Sequence, residues 1–371
     1  MKTYYELSDN ASKTIDISKV FFSVMVVFIH VYGTTFGTTN GAIALINPAW
    51  LETAKRLISG TISGCAVPAF FFYSALLLYR KEFRWKDNVR KKIRTLMVPY
   101  LILNVFWMAF DCFVHVVPFF SRFLGGGNIF AAWGWREWVD SLTGIFTDYP
   151  YLYPLWFVRD LFLLNLLASV IRKGIDRFPK ISVTLVCAVY LLVDTKLLPG
   201  FASNGVYNHE VTALCFWCFG YFFVKFGVNP DRIESIKLYQ ILIPYAVFAA
   251  LSVLFYDADY LFILSRICAL TGIVFWYKLS SLLNKTKWRR QLLFLSSFSF
   301  SIYIFHERCL SHFRKICAVL LPNTLWTSLF MYFVVPFIIV AGCIILSVLM
   351  NRVTPKTYAL LTGNRTKKQH G

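Results

Sequence analysis

Long apolar runs alternate with short polar segments along the whole chain. Ten of these runs have roughly the 17 to 25 residues with which an α-helix crosses the hydrocarbon core of a bilayer. The pattern therefore predicts ten transmembrane helices, at about residues 20–36, 60–79, 96–119, 155–171, 181–198, 211–228, 239–255, 261–283, 292–310 and 325–350. The longest outer connection, residues 120–154, is either a lid over a site or an interfacial segment.

The predicted helices belong to a single domain. We expect an all-α, polytopic membrane bundle in which residues 20–350 form the transmembrane domain. Residues 1–19 are expected to form a cytoplasmic N-terminal segment, and residues 351–371 a cytoplasmic basic tail. No internal repeat is evident, whereas many transporters are built from two related halves.

The composition agrees with a protein that lies in lipid. Hydrophobic residues make up 57% of the 371 residues and charged residues 15%, whereas soluble domains carry about 25% charge. The net charge of +19 would also suit a nucleic-acid-binding protein, but the cations lie in short clusters between the apolar runs. We therefore expect contacts with membrane lipids and no nucleic acid partner.

The distribution of lysine and arginine orients the predicted helices. With the N-terminus inside, the inner segments hold most of the 38 lysines and arginines, and the largest group lies between Arg80 and Arg94. Positive charge collects on the cytoplasmic side of membrane proteins. Both termini are therefore expected in the cytoplasm.

The first apolar run carries a lysine and a histidine eleven residues apart, Lys19 and His30. At about 100° per residue they share one face of a helix and lie about 16 Å apart along its axis. The charge pattern places Lys19 at the cytoplasmic boundary and His30 in the outer half of the membrane.

Ionisable side chains at membrane depth are costly and are therefore candidates for function. Those at the outer level of the predicted bundle are His30, Asp111, His115, Arg159, Asp160, His306 and Glu307. An outward-opening polar pocket would collect them.

His30 and the pair of Asp111 and His115 each have two possible roles. An imidazole at His30 suits a general base that takes a proton from an alcohol; the alternative is a core histidine that is hydrogen-bonded to a neighbouring helix. Asp111 and His115 share a helix face, so they either orient one another or neutralise a buried carboxylate. Asp111 is also our first candidate for the acidic partner of His30.

Two further positions carry polar groups at the same level. Arg159 either stabilises negative charge that develops on a carbonyl oxygen or forms an ion pair with Asp111 or Asp160. Tyr303 and His306 are three residues apart and face the same way, so they act on one ligand or on one another. The alternative for His306 is a satisfied histidine at a helix interface.

On the inner side, Lys91 and Arg94 stand directly before the third predicted span. They share a helix face and can hold the phosphates of a nucleotide-bearing donor. The alternative is a cytoplasmic charge cluster that contacts anionic lipid.

These features together resemble the membrane-bound acyltransferase family 3, which transfers acyl groups to hydroxyls of surface glycans and related acceptors. The resemblance extends from Lys19 to about Met350. Four local matches carry it: Lys19 and His30 with the family's Arg/Lys-x10-His motif, Lys91-Lys-Ile-Arg94 before Pro99-Tyr100 with its Arg-x-x-Arg motif, Ser301-Ile-Tyr303-Ile-Phe-His306, and Leu155-Trp156-Phe157.

The resemblance implies an enzyme, a membrane O-acyltransferase that moves an acyl group, expected to be acetyl, from acyl-coenzyme A to a glycan or lipid-linked sugar. By that resemblance His30 would be catalytic, and from the residues themselves Arg159 or Tyr303 would help to stabilise the oxyanion, with His306 and Asp111 as further candidates. Lys19 would support its helix or the donor, and Lys91 and Arg94 would contact acyl-coenzyme A, although lysine at position 91 loses the bidentate fork of arginine.

We expect acyl-coenzyme A as a co-substrate, no tightly bound cofactor, no metal, and a location in a bacterial cytoplasmic membrane. The rival prediction is a transporter or flippase for a lipid-linked or small polar solute, in which the same buried charges bind a moving solute or relay protons.

Overall fold

A computed structural model of the chain describes residues 5–38, 41–124, 130–147, 149–193, 209–256 and 261–363. These residues are mostly helical. The α-helices are α1 (Asp9–His30), α2 (Ala49–Lys55), α3 (Ala66–Tyr79), α4 (Trp85–Lys92), α5 (Val98–Val116), α6 (Pro118–Leu124), α7 (Trp135–Thr143), α8 (Trp156–Arg177), α9 (Pro179–Leu192), α10 (His209–Lys225), α11 (Leu238–Leu254), α12 (Leu261–Leu283), α13 (Arg289–Ser296), α14 (Ser299–Leu320), α15 (Leu325–Leu329), α16 (Val335–Val353) and α17 (Pro355–Leu361).

Short segments of other helix types join or precede some of these helices. The π-helical segments are Arg56–Ile62, Ile93–Met97 and Phe330–Val334, and the 3-10 segments are Ser63–Cys65, Tyr153–Leu155 and Pro230–Ser235. π-helical turns inside longer helices are frequent at functional sites. The segment Ile93–Met97 contains Arg94, one of the cations predicted to hold the donor.

Five continuous helices in the described ranges are long and apolar enough to cross a bilayer: Ala49–Tyr79, Trp85–Val116, Tyr153–Arg177, Phe262–Leu283 and Leu325–Val353. They correspond to the second, third, fourth, eighth and tenth predicted spans. The protein is therefore a helical, multi-pass membrane protein, as expected. The count of ten spans and the cytoplasmic placement of both termini stay predictions.

The first predicted span is wrong at its outer end. The apolar pattern predicts helix to residue 36, but α1 ends at His30 and the chain then forms an antiparallel hairpin of β1 (Thr35–Thr38) and β2 (Gly41–Ala44). Gly33 and the β-branched Thr34 and Thr35 disfavour another helical turn. His30 is therefore the last residue of its helix and lies beside a hairpin.

The ninth predicted span, residues 292–310, is also wrong. α13 ends at Ser296, and α14 begins at Ser299 and continues to Leu320. The hydroxyls of Ser296 and Ser297 donate to the carbonyls of Leu293 and Phe294 at 2.8 and 2.6 Å. Such local bonds compete with helix propagation. His306 consequently lies within the first half of a new helix and not near the end of an old one.

Some predictions fall partly outside the described residues. These are residues 1–4 of the N-terminal segment, residues 194–198 of the fifth span, residues 125–129 and 148 of the long outer connection, and residues 364–371 of the tail. The described part of that connection contains α6 and α7. The described part of the tail contains α17, whose Tyr358 is buried.

The chain divides into two compact units, of which the first comprises Met1–Val26, Thr53–Arg90 and Leu163–Ser297. Within it α3 packs against α10, and α11 packs against α12. Gly220 makes the first of these contacts close, because a Cβ atom there would lie 2.4 Å from the Phe72 carbonyl oxygen. Tyr245, Ala249 and Cys268 form a buried cluster in this unit.

The second unit comprises Val27–Glu52, Lys91–Phe162 and Phe298–Gly371. Within it α14 packs against α16 and also contacts β1, and α17 packs against α5. Phe36 of the hairpin, Cys317 of α14 and Met331 share a buried apolar cluster. This unit contains His30 and every outer polar residue that the sequence singles out.

Candidate active site

The end of α1 places His30 beside two aromatic groups of the second unit. The hydroxyl of Tyr153 and Nδ1 of His30 form a hydrogen bond, and the two rings are nearly perpendicular at a centroid separation of 5.0 Å. The centroid of the His306 ring lies 5.0 Å from that of the His30 ring. Two histidines 276 positions apart in the chain thus share one polar cluster with a tyrosine.

The surroundings of His306 determine which of its nitrogens carries a proton. Its Nδ1 lies 3.0 Å from the Ile302 carbonyl oxygen and 2.9 Å from that of Tyr303. Carbonyl oxygens only accept, so we assign the hydrogen to Nδ1, and the neutral ring then has its lone pair on Nε2. Nε2 is a base or a nucleophile in this tautomer.

Nε2 of His306 is buried and has no hydrogen-bond partner among the described residues. The whole residue is 0% exposed. A buried polar atom without a partner costs about 1 to 3 kcal/mol, and such an atom in a folded protein calls for an explanation. A ligand proton or hydroxyl that arrives during the reaction would satisfy it.

Tyr153 is the main residue of this cluster that sequence reasoning missed. It opens the 3-10 segment Tyr153–Leu155 directly before α8, and Pro154 fixes the backbone of that turn. The hydroxyl of Tyr303 donates to the Pro154 carbonyl. Tyr303 therefore holds the turn that presents Tyr153 to His30. The aromatic run before Pro154 was the one sequence signal for this position.

Asp111 does not pair with His30 in the described part of the chain, which corrects its assignment as the acidic partner. Its Oδ2 accepts a hydrogen bond from the Tyr151 hydroxyl at 2.6 Å and lies 3.2 Å from Nη1 of Arg308. Its Oδ1 lies 3.5 Å from Nε2 of His312. A buried carboxylate needs such partners, and two of these three come from α14.

The Asp111 cluster also fixes the segment before Tyr153. Nη2 of Arg308 donates to the Tyr151 carbonyl at 3.2 Å, and its guanidinium lies over the Tyr151 ring at 4.9 Å. Burial raises the pKa of the Tyr151 hydroxyl, and the hydrogen bond to Asp111 raises it further. Tyr151 is therefore a neutral donor at physiological pH, and the cluster positions the chain two residues before Tyr153.

His115 and Glu307 occupy other places in this region. Nδ1 of His115 contacts the backbone carbonyl of Asp111 at 2.6 Å, and not its carboxylate, because a side chain four residues on can bond back to its own helix. Glu307 follows His306 on α14, and its Oε2 lies 3.6 Å from Nε of Arg308. The predicted mutual orientation of Asp111 and His115 is thus replaced by a contact to the backbone.

Arg159 forms the ion pair that the sequence offered as the alternative to an oxyanion role. Its Nε donates to Oδ1 of Asp160 at 2.8 Å, and its Nη1 donates to the carbonyls of Thr143 and Gly144 at 3.1 and 3.0 Å. Gly144 has a φ of 63°, and a Cβ there would lie 2.7 Å from Nη1 of Arg159. The arginine therefore closes the C-terminal end of α7, where a cation is favourable.

Arg314 is a second residue that the sequence did not single out. It is buried, donates to the carbonyl of Gly33, and lies over the ring of Phe36 at 4.7 Å. Gly33 follows His30 by three residues. α14 therefore provides both the histidine that faces His30 and the arginine that holds the chain directly after it.

The predicted donor cations lie in two different environments. Nζ of Lys19 is 2.7 Å from Oδ1 of Asp16, one turn earlier on α1. Lys91 and Arg94 are exposed, and neither has an ion-pair partner within the described ranges. Exposed cations without a counter-charge remain available to an anionic ligand.

Comparison with known proteins gives one family and one relative. The family described as Acyltransferase domain, acyltransferase family 3, matches residues 12–352 of the chain. The succinoglycan biosynthesis protein ExoH of Rhizobium meliloti (strain 1021) is 26% identical over 370 residues, which cover 96% of this chain and 93% of that protein. No solved structure matches the chain.

Proposed function

Because this chain belongs to acyltransferase family 3, we propose that it moves an acyl group, specifically acetyl, from acyl-coenzyme A to a hydroxyl of a glycan or lipid-linked sugar. The similarity to a succinoglycan biosynthesis protein supports a saccharide acceptor. The same similarity supports a bacterial cytoplasmic membrane as the location. The protein is an acyltransferase, and this membership decides against the rival reading as a transporter or flippase.

The observation that carries the proposed mechanism is the polar cluster of His30, Tyr153 and His306. In this mechanism Nδ1–H of His30 donates to the hydroxyl oxygen of Tyr153, so the lone pair lies on Nε2, which receives a proton from the acceptor hydroxyl. The oxygen then attacks the thioester carbonyl, the C–S bond breaks, and the imidazolium returns the proton to the departing thiolate. The products are an O-acyl ester and free coenzyme A.

His306 is the second base in this proposal. Its Nδ1–H is held by the carbonyls of Ile302 and Tyr303, so only Nε2 can accept a proton or an acyl group. A ring separation of 5.0 Å from His30 supports action of the two histidines as a unit. An acyl-histidine intermediate on Nε2, formed by loss of coenzyme A and resolved by the acceptor hydroxyl, is the covalent form of the same reaction.

Arg159, Tyr303 and Asp111 act as positioning residues in this scheme. Tyr303 holds the turn of Tyr153 through Pro154, Arg159 closes α7, and Asp111 holds the segment that begins at Tyr151. Each of the three is already engaged with protein groups. We therefore assign to them the placement of the loop that carries Tyr153, and not direct stabilisation of an oxyanion.

Lys91 and Arg94 are assigned to the phosphates of the donor. Both are exposed and carry no counter-charge in the described part of the chain. Arginine binds a phosphate with two parallel hydrogen bonds, whereas lysine binds it as a point charge. Arg94 should therefore contribute more to donor affinity than Lys91. In the proposed reaction acyl-coenzyme A is a co-substrate, and no step uses a metal or a tightly bound cofactor.

Transfer of label tests the proposed activity. Purified wild-type protein is incubated with radiolabelled acetyl-coenzyme A and with glycolipids extracted from the native membrane, and label released from the lipid fraction by mild alkali is counted. Alkali-labile label in that fraction is the expected result. If no label is transferred, and the same protein moves the unmodified glycolipid across reconstituted vesicles, the activity has been misassigned.

A further inference from the structure

A cavity of about 550 Å³ opens within the first unit, apart from the residues of the candidate active site. It lies between the segment before α4 and the second half of α8. Its walls include Arg84, Ser169, Arg172 and Lys173. Sites for small ligands commonly have volumes of roughly 300 to 1,000 Å³. The cavity is therefore large enough for a small organic ligand that carries one or more phosphates.

One of the two carboxylates on the cavity wall, Asp176, is already paired with cations. Oδ1 of Asp176 lies 2.5 Å from Nζ of Lys225 and accepts a hydrogen bond from the Tyr221 hydroxyl at 2.6 Å. In addition, Nε of Arg172 lies 3.7 Å from Oδ2 of Asp176. Lys225 does not line the cavity, so Asp176 cancels little of the positive charge that faces the opening.

The other two cations on the wall are Arg84 and Lys173. Within the residues that the structure describes, neither Arg84 nor Lys173 forms an ion pair, and both are exposed. Three cations thus converge on one concavity, with Glu82 as the second carboxylate in its lining. Like charges gathered in a concave site create a field that attracts anions.

We propose that this cavity binds a phosphate-bearing anion. The guanidinium of Arg84 matches two oxygens of one phosphate, and Lys173 adds a point charge and the Ser169 hydroxyl a hydrogen bond. Such a group is present both in a soluble nucleotide such as coenzyme A and in the headgroup of an anionic lipid. Lys91 and Arg94 do not line this cavity, and the proposed binding does not depend on the chemistry proposed for His30.

Thermal unfolding of the full-length protein in detergent tests this site. The probes are sodium pyrophosphate, coenzyme A, and phosphatidic acid in mixed micelles, each against sodium chloride at equal ionic strength. A ligand that binds only the folded protein should raise the unfolding midpoint by a few degrees when present at about 100 times its dissociation constant. Stabilisation by the soluble probes identifies a nucleotide-type ligand, and stabilisation by phosphatidic acid alone identifies a lipid headgroup.

The variant Arg84→Gln/Lys173→Gln should lose this stabilisation while its unliganded midpoint stays that of the wild type. The matched control is Lys86→Gln/Arg177→Gln, which removes two exposed cations that do not line the cavity and should keep the response. If the double variant folds poorly, Lys173→Gln alone is used, and it should raise the probe concentration that gives half-maximal stabilisation at least threefold. Equal stabilisation of wild type and variant, or none with any probe, would overturn the proposal, whatever acyl transfer shows.

Discussion

The hydroxyl of Tyr153 is hydrogen-bonded to Nδ1 of His30, across 123 positions of sequence. The tyrosine belongs to the turn that precedes α8, and the histidine is the last residue of α1. This bond orients the imidazole, and in the proposed mechanism the other ring nitrogen, Nε2, takes the proton of the acceptor hydroxyl. A general base must be positioned within hydrogen-bond reach of its substrate, so the turn is part of the site.

Substitution Tyr153→Phe removes the hydroxyl and keeps the ring. Because one hydrogen bond between neutral groups contributes about 1 kcal/mol, we expect kcat for acyl transfer to fall about fivefold, with KM for acetyl-coenzyme A within twofold of the wild type. Steady-state kinetics with labelled donor measure both values. Tyr149→Phe, which changes a ring 5.9 Å from that of Tyr153, is the control and should leave kcat within twofold. An unchanged kcat in Tyr153→Phe would show that the bond does not orient the base.

Substitution Asp111→Asn separates stability from chemistry. Arg308 and His312 would lose the carboxylate that they face, and breaking a buried ion pair costs about 3 kcal/mol. The midpoint of thermal unfolding should therefore fall by several degrees, while kcat of the folded fraction stays within a few-fold of the wild type. Asp87→Asn, at an exposed position, serves as the control. A loss of kcat as large as that of His30→Ala would restore Asp111 as the acidic partner.

Substitutions of the donor cations should act on affinity. A hydrogen bond to a charged group contributes about 1.5 to 3 kcal/mol, so Arg94→Gln should raise KM for acetyl-coenzyme A at least tenfold and leave kcat nearly unchanged. Lys91→Gln should have a smaller effect, and Lys91→Arg should lower KM because it restores the bidentate fork. Lys86→Gln, nearby on α4, is the control. A fall in kcat without a change in KM would contradict a role in donor binding.

The pH dependence of stability should depend on Glu234, which lies outside the predicted spans. The hydrogen bond from Lys285 at 2.8 Å, together with bonds from Asn10 and Ser281, holds the pKa of Glu234 below its usual value of 4.5. A carboxyl group whose pKa is lower in the folded than in the unfolded protein stabilises the folded state at pH values above its unfolded-state pKa. This stabilisation is lost as the pH falls through its folded-state pKa. Glu234→Gln should therefore lower the unfolding midpoint at pH 7.

The effect of Glu234→Gln on the unfolding midpoint should depend on pH. The difference in midpoint between wild type and Glu234→Gln should be full above about pH 5 and should shrink as pH falls below about 4. Glu6→Gln, at an exposed position in the same unit, should show a smaller difference at every pH. A difference between wild type and Glu234→Gln that grows on acidification would contradict the assigned direction of the pKa.

The sequence predicts the helical membrane fold and the two histidines because both follow from local rules. Apolar runs of sufficient length mark helices, and an imidazole at membrane depth marks function. The partners of these groups depend on where helices end. α14 continues ten residues beyond its predicted end, and that extension contains His312 and Arg314. Hydropathy does not predict this extension, because His312 and Arg314 are polar. In the structure His312 faces the carboxylate of Asp111, and Arg314 donates to the Gly33 carbonyl.

The contact between Tyr153 and His30 is likewise not predicted by the sequence, because Tyr153 belongs to the turn before α8. Its contact with His30 depends on a turn shaped by Pro154 and held by Tyr303, and no periodicity marks such a turn. The pattern also does not predict the hairpin after His30, because the apolar Phe36 of β1 is included in the first predicted span. The sequence therefore singles out His30 and His306, whose rings lie together in the structure, but it does not assign their neighbours.

The central claim is that His30 and His306 act as a unit in acyl transfer. Its most direct test is the rate of label transfer from acetyl-coenzyme A by His30→Ala, His306→Ala, the double variant and the control His115→Ala, all at the same folded concentration. We predict a loss of at least a hundredfold for each single variant, no greater loss for the double variant, and an unchanged rate for His115→Ala. Single variants that retain the wild-type rate, or losses that multiply in the double variant, would contradict the account.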